Sequence, residues 1–171
     1  MVHPLIEHAQ QTLSDSGFAT QLVAGAPGLP GEQLLVALSA DEAGRERQLL
    51  ITLYEALKDD LDDVHLLQYF AQVPIMVAPE HRDELARYLT LVNVRLPIGA
   101  YGFLYNGMVF FRAMAMMPAD DTSWSKLVSE YLFITVFALD SFGDGVISVA
   151  SGEMTAQQAT DADARLDPLD E

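Results

Sequence analysis

Histidine is the side chain best suited to ligating a metal or moving a proton near neutral pH, and the chain carries four: His3, His8, His65 and His81. His3 and His8 stand five apart, so on a helix they do not share a face as i, i+4 zinc ligands would. Neither His65 nor His81 has a ligand-type residue at useful spacing, and the four read as unrelated, with no metal site. Asp59, Asp60, Asp62 and Asp63 crowd carboxylates together. They lack the alternating ligands, central glycine and closing glutamate of a calcium loop, and read as a hydrated turn. His81-Arg82-Asp83 spells a kinase-type triplet, but it falls in the first turns of a helix in a chain without a glycine-rich phosphate loop. Ser125, Ser129, Ser141, Ser148 and Ser151 sit in no Gly-x-Ser-x-Gly elbow. Gly143-Asp144-Gly145 lacks the preceding strand and following helix of a dinucleotide site. Cysteine is absent, which removes thiolate nucleophiles and disulfides. Two carboxylates can converge from anywhere in a fold, yet no spacing recommends a pair. The expectation is a non-enzyme with no catalytic residue, cofactor or metal.

Recognition chemistry has better support. On the strand Met108 to Met117, Val109, Phe111, Ala113, Ala115 and Met117 alternate with Met108, Phe110, Arg112, Met114 and Met116. Both sets are mostly apolar, so either helices cover both sides of this strand or another chain covers one. Methionine adapts its shape to varied apolar partners. Phe110, Arg112, Met114 and Met116 are therefore the candidate partner-binding or dimer surface. Arg112 on an apolar face needs an acid or a route to solvent; Asp140 is one candidate acid, and a structural ion pair is the favoured role.

These residues must be positioned by surrounding elements. Pro4, then Leu5, Ile6, Ala9 and Leu13 at helical spacing, then Gly17, predict a helix over 3–17. Short runs at 19–24, 33–39, 47–54 and 66–73 predict four strands of an antiparallel meander, the first two joined by the Pro27-Gly-Leu-Pro-Gly31 loop. Ala78-Pro79-Glu80 opens a second helix with a stripe of Leu85, Tyr88, Leu89 and Val92. Pro97 and Gly99 end that stretch. Asn106-Gly107 between the runs 100–105 and 108–116 predicts a tight hairpin with both turn positions at positive φ. Asp120, Asp121 and Thr122 offer caps to a long helix ending near Gly152, with Trp124, Val128, Tyr131, Thr135, Ala138, Phe142 and Val146 along one face and a kink at Gly143 and Gly145. The order is α-β-β-β-β-α-β-β-α, an α+β domain over 1–152 in which helices pack on a mostly antiparallel sheet. Residues 153–171 are acidic and poor in large apolar groups, and read as a frayed or loosely docked tail.

Nine basic against twenty-five acidic residues leave a net charge of −16 over 171 residues. Direct nucleic-acid binding and anionic membranes are disfavoured, because both need clustered cations. The charge keeps the chain soluble and can steer a basic partner protein, with nucleic-acid-binding proteins among the candidates. The apolar run Tyr131 to Leu139 is too short to cross a bilayer, and the first residues have neither a basic n-region nor an apolar h-region, so the expected location is cytoplasmic.

The run Asn93-Val-Arg-Leu-Pro-Ile-Gly99, followed by Phe103, Gly107, Val109 and Arg112 and later by Leu139-Asp140 and Gly152, resembles the YbjN family of bacterial proteins, described as sensory-transduction regulators. The resemblance covers roughly residues 5–160 and is carried most clearly by 93–112. The element order is also similar to type III secretion chaperones, small acidic dimers that bind extended segments of partner proteins. The similarity implies a homodimer, a chaperone-like α+β fold and no catalytic residues to transfer. An extra strand and the acidic tail depart from it. Asn93, Pro97, Gly99, Asn106, Gly107 and Asp140 read as structural positions within the matched motif. The function expected is an adaptor or chaperone-like protein; the alternative is a regulator sensing a small ligand between the sheet and the long helix.

Overall fold

The computed structural model describes residues 2–23, 33–54 and 60–166. The Pro27–Gly31 loop, Asp59 and the last five residues of the acidic tail lie outside them. Helix α1 (Pro4–Asp15) starts where proline can stand without losing a needed N–H, and the His3 Nδ1 accepts from the Leu5 N–H at 3.2 Å as its cap. Leu5, Ile6, Ala9 and Leu13 form its buried stripe. Strands β1 (Thr20–Val23), β2 (Gln33–Leu38), β3 (Arg47–Leu53) and β4 (Val64–Met76) follow as the expected antiparallel meander. β4 runs beyond the predicted 66–73 because a register shift between Gln72 and Met76 accommodates Pro74, which has no N–H for the ladder.

A single 3-10 turn at Pro79–His81 leads into α2 (Arg82–Arg95), which buries the expected Leu85, Tyr88, Leu89 and Val92. β5 (Ala100–Phe103) and β6 (Met108–Pro118) form the hairpin, and β6 returns beside β4. The sheet order among the described residues is β1-β2-β3-β4-β6-β5, all antiparallel. The hairpin turn differs from the two-residue form expected. Gly107 donates to the Leu104 carbonyl at 2.8 Å and Leu104 to the Met108 carbonyl at 2.9 Å, so three residues make the loop and only Gly107 has positive φ, at 92°. The Asn106 Oδ1 accepts from the Met108 N–H at 3.0 Å, and the Val77 N–H docks on the Gly107 carbonyl at 2.8 Å.

Helix α3 (Trp124–Ala150) runs unbroken through Gly143 and Gly145. Its N-cap is Ser123, without a side-chain bond, and not one of the three predicted residues; Asp120 instead accepts from the Thr122 N–H and hydroxyl in the preceding turn. Trp124, Val128, Thr135, Ala138, Phe142 and Val146 are buried as their spacing predicts. Of these, Val128, Phe142 and Val146 each contribute about 1.5–3 kcal/mol on burial. The buried hydroxyls of Tyr69 and Tyr101 donate to the α3 carbonyls of Val128 and Ala138, at 3.2 and 2.9 Å. Among the described residues α3 is long and apolar enough to cross a membrane by composition, with a mean hydropathy of 1.6 over its best window. Reading uninterrupted runs alone missed this. Eleven of its residues are buried against the sheet and its neighbours, while Phe133 and Phe137 stand on its exposed side.

The described part of the tail, 153–166, is also more ordered than expected. Helix α4 (Ala156–Ala162) carries a full capping box, Thr155 accepting from the Gln158 N–H while Gln158 accepts from the Thr155 N–H. Ala156, Ala159 and Leu166 are buried, the Ala156 N–H donates to Glu84 of α2 at 2.8 Å, and Arg165 lies over the Phe142 ring at 5.1 Å. Small alanines dock here where a composition reading looks for large side chains. The result is α+β: a six-stranded antiparallel sheet with four helices, α1, α2 and α3 covering the same side.

Candidate functional site

Strand alternation puts Phe111, Ala113, Ala115 and Met117 of β6 in the core and Phe110, Arg112, Met114 and Met116 on the opposite side of the sheet. No described helix covers that second side at β4 and β6. The four predicted residues therefore share one surface, and Met116 is 60% exposed. Cross-strand register extends the surface in a row of Leu35, Leu50, Phe70, Arg112 and Ala100. Leu66 stands opposite Met116, and Met114 opposite Gln68. Phe70 and Phe110 stack with centroids 5.3 Å apart, and the Phe110 ring lies over Gly102, where a Cβ would stand 2.9 Å from it.

Arg112 does not meet Asp140. Its Nε donates to the Gln68 Oε1 at 2.7 Å and an Nη approaches the Met114 sulfur at 3.5 Å, leaving its charge at the solvent side. Asp140 belongs to α3, on the other side of the sheet, and accepts from Arg47. The two matched positions were thus separated by the full thickness of the sheet, a relation that spacing along the chain does not reveal.

The remaining motif residues brace this strand. Asn93 at the end of α2 donates to the Tyr101 carbonyl at 3.0 Å and accepts from the Tyr101 N–H at 2.8 Å, locking α2 to edge strand β5. Gly99 has φ 82°, and a Cβ there would stand 2.8 Å from the Arg112 carbonyl oxygen. Pro97 occupies the exposed bend before it. Phe70, Leu50, Leu35 and Leu66 were missed as surface residues, although the apolar residues at alternate positions of the third and fourth strands carried the same signal as β6.

On the helical side, a cavity of about 710 Å³ lies between the β2–β3 turn, β4, the C-terminal half of α3 and α4. Arg45 bonds Asp41 at 2.6 Å and also Asp144, and Arg47 bonds Asp140 and the Ser39 carbonyl. Burial opposes the charge of Asp41, but hydrogen bonds from the Arg45 backbone and guanidinium outweigh it and hold the carboxyl below its ordinary range. Tyr88 reaches this cavity from the buried stripe of α2.

Three of the histidines gather near Trp124. His3 and His65 are 5.0 Å apart by ring centroid, and His8 lies edge-on to Trp124 at 5.5 Å while contacting the Ser125 hydroxyl at 2.7 Å. They are neighbours, where the sequence suggested no relation. No group of three metal-ligating side chains forms among the described residues. His81 instead packs its ring where a Cβ on Gly152 would be. No family model matches the chain, and no curated protein matches it.

Proposed function

We propose that the protein is a non-enzymatic adaptor or chaperone-like protein of the cytoplasm, a homodimer that binds a basic partner protein. The observation that carries this is the sheet side that no described helix covers, on which Phe70, Phe110, Met114, Met116 and Leu50 surround one arginine. An apolar surface centred on aromatic and methionine side chains, with Arg112 for orientation, has the composition of an interface core. The net charge of −16 favours basic clients and speeds their encounter. The resemblance of Asn93–Gly99 and the following hairpin to the YbjN family, and of the element order to type III secretion chaperones, points the same way. Tagged protein is incubated with lysate of the native organism and washed at low and high salt, beside the Phe110→Ser/Met114→Ser variant. A basic, stoichiometric protein retained by the wild type and lost by the variant supports the reading; equal retention by both refutes the surface. A second reading, a regulator that senses a small ligand, is favoured by the cavity between the sheet and α3.

A further inference from the structure

The cavity on the helical side has a chemistry of its own. Its volume of about 710 Å³ lies within the range of small-molecule sites and far exceeds what a single ion needs. Asp41, Glu42, Asp140, Asp144 and Asp163 line it. The arginines nearby are already engaged: Arg45 with Asp41 and Asp144, Arg47 with Asp140, and Arg165 with both oxygens of Asp163. Asp140 and Asp144 each give one oxygen to an arginine and retain the second, and Glu42 makes no ion pair among the described residues. Negative charge is therefore in excess at the rim. Val73, Leu139, Ile147 and Met154 add apolar lining.

Tyr88 is the second, independent feature. The residue is 1% exposed and lines the cavity, yet among the described residues its hydroxyl has no hydrogen-bond partner. The other two buried tyrosines, Tyr69 and Tyr101, both donate to α3 carbonyls. The Tyr88 hydroxyl instead abuts Gly145 at the wall, where any side chain would collide with it. Burial, and after it the Asp163 carboxylate, push the phenol up to about 12, so it remains a proton donor at any physiological pH. The hydroxyl is open to the cavity, so water or a polar atom of a bound molecule can accept from it.

We propose that this cavity binds a small organic cation, its ammonium or guanidinium group held at the rim by Asp140, Asp144 and Glu42 and its body packed inside against Val73 and Ile147 with a polar atom on the Tyr88 hydroxyl. The site lies away from the uncovered sheet surface and is independent of the adaptor reading. It gives the ligand-sensing reading a ligand class.

The test titrates agmatine, which carries both cationic groups on a short hydrocarbon chain, into the full chain at constant ionic strength, with citrate as the anionic control. Calorimetry is expected to give saturable one-site binding of agmatine and none of citrate. Glu42→Gln and Tyr88→Phe each remove a side-chain group that no described residue engages, so both variants fold, and each is expected to weaken binding about tenfold, as loss of one hydrogen bond or charge contact does. Phe110→Ser leaves agmatine affinity unchanged whatever it does to partner capture. Absence of saturable binding, binding that both cavity variants leave intact, or preference for citrate overturns the proposal. The second of these would be diffuse cation association with an acidic surface.

Discussion

Asn93 shows how much a single polar side chain carries. Its two bonds to Tyr101 satisfy both the N–H and the carbonyl of an edge-strand residue whose ring is in the core. Asn93→Ala is expected to lower stability by about 1–3 kcal/mol, readable as an earlier urea midpoint with an unchanged slope. His65 belongs to the same scale. Burial, reinforced by the neighbouring His3, lowers its pKa below 6.5. The unfolded chain then binds the proton more tightly than the folded one. The contribution is fully present above about pH 6.5 and is lost as the pH falls through that value toward the folded pKa. Between pH 7.5 and 5.5, melting of the wild type should fall more steeply than that of His65→Gln; parallel curves would contradict the assignment.

At the scale of elements, α4 and β6 are the informative cases. α4 has only seven residues, too few to persist alone, so its order must come from its capping box and its seat on α2. Thr155→Ala should cost about 1 kcal/mol, felt as faster amide exchange over 156–162 with the sheet unaffected. Exchange at the rate of free peptide in the wild type would mean that the segment is not docked. β6 has one side in the core and one in solvent, and the two respond oppositely to substitution. Phe110→Ser with Met114→Ser, on partly exposed positions, should change stability by about 1 kcal/mol or less per site while abolishing partner capture, whereas Phe111→Ser should unfold the domain. A hairpin strand apolar on both sides was expected to have helices on both or another chain on one, and the described helices cover the core side alone.

For the whole molecule, the net charge of −16 would act on the encounter with the proposed basic partner. Association with a basic client should slow several-fold between about 20 and 500 mM salt while dissociation changes little, since screening acts on the encounter and not on the apolar contact. Stopped-flow measurement at the two salts checks this, and a salt-independent on-rate removes the steering. Helix stripes, strand alternation and the glycine stops were legible along the chain because each depends on a local period or a local φ: the buried faces of α1, α2 and α3 and the α+β order follow from them. Which residues meet across the fold was not. Arg112 and Asp140 are separated by the sheet, Asp140 pairs with Arg47 from 93 residues away, three histidines converge on Trp124, and Tyr88 leaves an ordinary apolar stripe to face a cavity. Such pairings depend on sheet order and on the side to which each strand turns, which are set jointly by all the elements packing together, so only the tertiary structure could decide them.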